Sequence, residues 1–152
     1  MALTTTTFVT VMFAPAFTEV TPDRLAPVSV TVVVAPALAK FGEMLLEGGQ
    51  WNGKRILSPK TVELMSSVFV PDTVPGRSPG RGFGLSVQVI SDPIAAGFRV
   101  SAGSYGWDGA YGTHFWVDPK EKIVAILMIQ TDNPNRQLDR DFENAVMQSI
   151  VE

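Results

Sequence analysis

The unbroken apolar run at 123–129 (Ile-Val-Ala-Ile-Leu-Met-Ile) constrains the fold of this 152-residue chain more than any other segment. A strand that exposes one face to water alternates apolar and polar residues, and this run does not alternate. It therefore predicts a strand inside a sheet that is covered on both faces. The segment from about 137 to 151 then predicts an amphipathic helix packed back onto that sheet, because its apolar residues recur at helical spacing. The buried face of this helix is predicted to hold Leu138, Phe142, Ala145, Val146, Ser149 and Ile150.

Two further helices are predicted upstream of the run. The first begins near Pro36 and ends at Gly48-Gly49, with apolar residues at helical spacing between them. The second begins at Ser58-Pro59, a favourable N-cap followed by a proline in the first turn. Its buried stripe is predicted to be Val62, Met65 and Phe69.

Other strands are predicted where β-branched and aromatic residues gather between turn residues. These strands are 3–13, 28–34, 83–90, the start of one at 98–101, and 111–117. Asp118, before Pro119, is expected to form the turn that precedes the apolar run, through hydrogen bonds from its side chain to the backbone.

The composition excludes several classes of site. With no cysteine, the chain has no disulfide, thiolate zinc site, iron–sulfur cluster or cysteine nucleophile. With one histidine, His114, any metal site would have to be mainly carboxylate, and no cofactor is expected. The net charge is −3 and no run of Lys or Arg is present, so nucleic-acid binding is not expected.

Neither a membrane-spanning segment nor a secretory signal is expected. The apolar runs are far shorter than the ~20 residues that span a bilayer. The N-terminus lacks the basic region of a secretory signal, and threonines interrupt its apolar residues. A cytoplasmic protein is the expectation, with a periplasmic or secreted location left open for a chain whose signal peptide is missing.

Ser104, Asp108 and His114 follow one another in the order of a serine–acid–histidine triad. A nucleophile-elbow serine needs a strand before it and a helix after it, with the acid and base on distant loops. Here all three lie within one glycine-rich segment, so a triad is not expected. His114 is predicted to be a structural hydrogen-bonding residue. Ser104 stays the serine that an alternative hydrolytic activity would use.

The glycine-spaced segment from 103 to 112 has two possible roles. Glycines at 103, 106, 109 and 112 permit close backbone approach, and an exposed backbone there could donate an N–H to an oxyanion. The alternative is a tight turn between two strands.

The charged residues near the C-terminus are predicted to be solvated surface. These are Arg136, Asp139, Arg140, Asp141 and Glu143.

Four segments, at 38–50, 55–65, 82–85 and 105–119, resemble in wording and order the C-terminal part of serine β-lactamase-related proteins. The similar groups are class C β-lactamases, penicillin-binding-protein-like hydrolases and family VIII carboxylesterases. The resemblance covers about 37–152 and leaves 1–36 as a divergent N-terminal extension with two strands. It implies an α+β fold, an antiparallel sheet with helices on both faces, as a partial β-lactamase/transpeptidase-like fold.

The resemblance also implies a binding wall. Trp107-Asp108-Gly109 matches the Trp-x-Gly form of the family's third active-site motif, although Ser104-Tyr105-Gly106 also aligns. With Tyr105 and Tyr111, these residues would line the pocket for a small ester or amide. Tryptophan in place of the lysine of lactamases removes a charge that would attract a β-lactam carboxylate, which favours esters.

Two family motifs are missing. No serine has a lysine three residues later, and neither tyrosine begins a Tyr-x-Asn motif. Because the family lysine activates the serine nucleophile, we expect a truncated hydrolase that is not catalytic alone. The alternatives are an interaction protein that reuses the half-fold, complementation by a separate chain with the missing motifs, and hydrolysis through Ser104. The expected partner is a second copy or another protein that covers the exposed sheet face.

Overall fold

The computed structural model describes residues 7–13, 36–129 and 136–150. Its main sheet has six strands and a separate hairpin has two. The strands are β1 Thr7–Phe13, β2 Gln50–Trp51, β3 Lys54–Arg55, β4 Arg81–Phe83, β5 Gln88–Ile90, β6 Tyr105–Asp108, β7 His114–Asp118 and β8 Ile123–Ile129. The helices are α1 Pro36–Leu46, α2 Pro59–Met65, α3 Pro93–Ala96 and α4 Arg136–Gln148.

The main sheet has the order β1-β8-β7-β6-β5-β4. The five strands from β4 to β8 are antiparallel to their neighbours, and β1 adds in parallel beside β8. The N-terminal segment thus fills a sheet position over 7–13, within the predicted strand 3–13. The predicted strand 28–34 lies outside the described residues. Among the described helices, none combines the length and apolarity needed to cross a membrane.

Strand β8 is buried on both faces, as its non-alternating sequence predicts. Val124 and Ile126 pack with α1 and α2 on one side of the sheet. Ala125 and Leu127 pack with Phe142 and Val146 of α4 on the other side. The predicted α+β class, with helices on both faces of the sheet, is therefore confirmed.

Helix α1 approaches the sheet closely because residue 42 is a glycine. A Cβ atom on Gly42 would lie 2.4 Å from Val124 Cγ1 and 2.9 Å from Phe115 Cε2. The missing side chain lets the helix backbone rest on β7 and β8 and brings Met44 and Leu45 into the core.

The single strand predicted at 83–90 is wrong, because the chain reverses direction inside it. Phe83 of β4 pairs with Gln88 of β5, and Ser86 has a positive φ of 71° in the turn between them. The strand start predicted at 98–101 is also wrong, because these residues form no strand and follow the short helix α3.

The predicted buried faces of two helices also need correction. Phe69 is 54% exposed, since α2 ends at Met65 before the stripe reaches it. On the C-terminal helix, Phe142 and Val146 are buried, whereas Ala145, Ser149 and Ile150 are exposed.

Asp118 forms the predicted turn and also ties two loops together. Its Oδ1 accepts hydrogen bonds from the N–H groups of Lys120 and Glu121, each at 3.1 Å. Its Oδ2 accepts one from the N–H of Ser101 at 2.8 Å. The side chain is fully buried, so these three donors take the place of water.

We predict that Asp118→Ala lowers the free energy of unfolding by about 3 kcal/mol or more, because three donors lose a charged acceptor. Asp118→Asn keeps one carbonyl oxygen and should be less destabilising. Urea unfolding followed by circular dichroism measures both, with the exposed Asp141→Ala as control. Equal stability of Asp118→Ala and Asp141→Ala would contradict this role of Asp118.

Candidate functional site

A small recess opens where β5, β6 and β7 meet α4. The recess has a volume of about 20 Å³, which is room for one or two water molecules. Its polar lining residues are Gln88, Ser104, Asp108, His114, Trp116 and Glu143. Residues that are far apart in sequence thus meet in one place, as the glycine-rich segment folds against the C-terminal helix.

His114 lies between two carboxylates. Its Nδ1 is 2.5 Å from Asp108 Oδ1, and its Nε2 is 2.7 Å from Glu143 Oε1. Asp108 and His114 are directly opposite each other on neighbouring antiparallel strands, so sheet register sets the first contact. The second comes from α4 across the sheet face. The hydrogen bonds predicted for His114 are therefore present, one to each carboxylate.

This arrangement favours the imidazolium form of His114, in which both ring nitrogens donate. Burial alone lowers the pKa of His114, but the hydrogen bonds to Asp108 and Glu143 outweigh it and raise the pKa from 6.5 to about 9. Burial raises the pKa of Glu143, an effect that His114 and Arg81 oppose.

Two charged residues predicted to be solvated surface are buried. Asp139 is 6% exposed and Glu143 is 4% exposed, so the expectation of a solvated face is wrong for both. They lie four residues apart on α4, beside the apolar stripe of Phe142 and Val146. The sequence signal for this burial was the four-residue spacing, but the partner of Glu143, His114, is distant in sequence.

Two arginines complete the charge of this region. Arg81 and Arg140 both stack on the Phe98 ring, with guanidinium carbons 4.4 Å and 5.6 Å from its centroid. Burial and the charge of Arg140 lower the pKa of Arg81, while the charges of Glu143 and Asp108 raise it. The carboxylates therefore face both the imidazolium and a positive arginine pair.

Ser104 lines the recess with Asp108 and His114, but the three do not form a triad. Its side chain is 1% exposed, and Ser104 Oγ has no hydrogen-bond partner among the described residues. A catalytic histidine needs one ring nitrogen to accept the serine proton. Both nitrogens of His114 contact carboxylates instead, which supports the expectation that no triad forms.

The other predicted wall residues have different environments. Tyr105 is buried in the core on the α1 side, and burial raises its pKa to about 12. Trp107 is 49% exposed and contacts Phe83 edge-to-face, with ring centroids 4.9 Å apart. Tyr111 is 64% exposed on the turn after β6. Of this set, Trp107 and Tyr111 are the side chains most accessible to a ligand.

The glycine-rich segment ends in the tight turn that was the alternative expectation. The Gly109 N–H donates to the Thr113 carbonyl at 2.6 Å, and the Gly112 N–H donates to the Gly109 carbonyl at 3.1 Å. Gly106 serves close packing instead, since a Cβ there would lie 1.9 Å from the Phe115 carbonyl oxygen.

One group of side chains has ligand types that could hold a metal ion. Asp108, His114 and Asp139 each offer one ligand atom, and these atoms all lie within 4.8 Å of one another.

The sheet and the helices on its two faces define an α+β domain of the serine β-lactamase-like type. The sequence comparisons agree. Residues 7–148 match the Beta-lactamase family, and the chain therefore belongs to that family.

Individual relatives are longer than this chain. Protein Rv1367c of Mycobacterium tuberculosis is 36% identical over 101 residues, which are 60% of this chain and 25% of that protein. Esterase EstB of Burkholderia gladioli is 40% identical over 55 residues, 36% of this chain and 14% of EstB. The structure of EstCE1, a hydrolase with promiscuous acyltransferase activity, matches with a TM-score of 0.57 and 29% identity, over 69% of this chain and 27% of EstCE1. The chain thus spans about a quarter of the length of Rv1367c and of EstCE1.

We predict that the protein loses stability as the pH rises from about 6.5 to about 9, through His114. A group whose pKa is higher in the folded state stabilises the fold fully below its unfolded pKa and loses that effect above its folded pKa. The loss should reach up to about 3 kcal/mol. Thermal unfolding at a series of pH values, with EDTA present, measures it.

His114→Gln is the matched control for this pH dependence. The variant should be less stable at pH 6 and should lack most of the decline between pH 6.5 and 9. The same decline in both proteins would assign the pH dependence to other groups.

Proposed function

We propose that this chain provides one wall of a β-lactamase-family serine hydrolase site and does not hydrolyse substrate on its own. The observation that carries the proposal is the absence from the sequence of Ser-x-x-Lys and Tyr-x-Asn. The surroundings of Ser104 support it, because the one histidine nearby is held by Asp108 and Glu143. Without a base, a buried serine hydroxyl is a poor nucleophile.

A small ester is the substrate class that this wall fits best. By the resemblance, Trp107 takes the place of the lactamase lysine, so β6 offers no lysine at this position to attract a β-lactam carboxylate. Its exposed ring, packed against Phe83, offers an apolar contact for an acyl or alcohol group. The naming of relatives as an esterase and as a hydrolase with acyltransferase activity agrees with this choice.

We predict neither an acyl-enzyme burst nor turnover above background when the purified chain meets nitrocefin or p-nitrophenyl butyrate. Stopped-flow absorbance and intact-mass spectrometry measure the two. Binding and oxyanion groups alone give only residual rates when the nucleophile is missing.

Ser104→Ala tests the alternative of hydrolysis through Ser104, with the exposed Ser91→Ala as control. All three proteins should give the same background signal. Hydrolysis that disappears in Ser104→Ala and persists in Ser91→Ala would overturn the proposal.

A second function, self-association, is favoured by an apolar surface at the β4–β5 edge. The apolar edge consists of Val68, Phe69, Leu85 and Trp107, which are 39%, 54%, 49% and 49% exposed. Phe69 and Trp107 both adjoin Phe83 of β4, since the Phe69 N–H donates to the Phe83 carbonyl and the Phe83 ring contacts Trp107. Exposed apolar surface of this kind marks interaction sites. We propose that a second copy of the chain covers it in an isologous dimer.

The dimer is expected at micromolar concentration in light scattering coupled to gel filtration. Phe69→Glu with Leu85→Glu should convert it to a monomer, because charged groups would be buried in the interface. Ile94→Glu is the control, since Ile94 is 91% exposed on α3 outside the apolar edge. A wild-type monomer would contradict this second function.

A further inference from the structure

We propose that Asp108, His114 and Asp139 form a binding site for a divalent transition-metal ion, and that Glu143 holds the imidazole in the ligating orientation. The three ligands come from β6, β7 and α4. The site is therefore created by packing the C-terminal helix on the sheet.

The spacing of the ligand atoms suits a small ion. The three atoms lie within 4.8 Å of one another. Zn²⁺ binds imidazole nitrogen and carboxylate oxygen at about 2.0–2.2 Å, which places tetrahedral ligands roughly 3.4 Å apart. Side-chain rotation of Asp108 and Asp139 can supply this adjustment, since both carboxylates end short side chains on regular elements.

Glu143, the second carboxylate that contacts His114, lies where an orienting group would be needed. Metal-bound histidines usually donate their other ring N–H to a carboxylate, which fixes the tautomer and the ring plane. His114 Nε2 already has Glu143 Oε1 at 2.7 Å, while Nδ1 faces Asp108. An ion that binds Nδ1 would displace the proton between Nδ1 and Asp108 into solvent and keep the Glu143 hydrogen bond.

Buried polar atoms beside the cluster point independently to a bound group. Glu143 is 4% exposed, and its Oε2 has no hydrogen-bond partner among the described residues. Ser104 is 1% exposed, and its Oγ also has no hydrogen-bond partner among the described residues. Both residues line the recess next to Asp108 and His114. A water bound to the ion would fit this recess and could hydrogen-bond to both atoms.

The donor set and the charges define the class of ion. One imidazole and carboxylate oxygens suit Zn²⁺, Co²⁺ and Mn²⁺, whereas the absence of sulfur disfavours Cu⁺. Arg81 competes with the ion for the carboxylates, since its charge interacts with those of Asp108 and Glu143. We therefore expect micromolar affinity instead of the tighter binding of a structural zinc site.

The test uses the full chain, freed of metal with EDTA and then dialysed. Isothermal titration with Zn²⁺ should give one site per chain. Co²⁺ should give visible absorption bands that Zn²⁺ abolishes. His114→Gln and Asp139→Asn should each weaken binding by about tenfold or more, and Glu143→Gln by about tenfold, as an orienting residue.

Asp141→Asn is the matched control, because Asp141 lies two residues from Asp139 on α4 and is exposed. It should bind Zn²⁺ as the wild type does. Circular dichroism verifies that each variant is folded, and Asp139→Asn replaces His114→Gln if the latter unfolds. Absence of saturable binding, or equal binding by Asp139→Asn and Asp141→Asn, would mean that the arginines already neutralise the cluster, and would overturn the proposal.

Discussion

The burial of β8 on both faces is the constraint on which the rest of the structure depends. Successive residues from Ile123 to Leu127 face the α4 side and the α1 side of the sheet in turn. Every one of them is at most 4% exposed. Such a strand is stable only if helices cover both sides of the sheet. The close approach of α1 at Gly42 and the amphipathic stripe of α4 follow from that requirement.

The charged cluster follows from the same packing. Register places His114 opposite Asp108, because β7 pairs with β6 in antiparallel order. Helix α4, which must cover Leu127 and Trp116, brings Glu143 to the other side of the ring. Burying carboxylates is unfavourable unless they are paired, and the imidazolium and the arginine pair provide that compensation.

Sequence periodicity predicts α1, α2, α4 and the buried strand β8, because burial sets the spacing of apolar residues, but it does not predict the short helix α3. It fails at 83–90, where the alternation is real but Ser86 adopts a positive φ that serine rarely signals. It fails at Asp139 and Glu143 for another reason. A charged residue in a sequence indicates solvent unless its partner is known, and here the partner is reached only through the folded sheet. The segment around Trp107 could therefore be singled out from the sequence, but strand β6 and the electrostatics of the cluster around His114 could not be predicted.

Strand β6 has two chemically separate faces. Tyr105 joins the apolar core against α1, whereas Asp108 bonds to the only histidine in the chain. Because both nitrogens of that histidine contact carboxylates, it is poorly suited to shuttle a proton for Ser104. The two carboxylates around His114 instead favour a positive charge on the imidazole. The β-lactamase-family fold is thus present, and carboxylates from β6 and α4 stabilise the imidazolium of His114 on β7 within it.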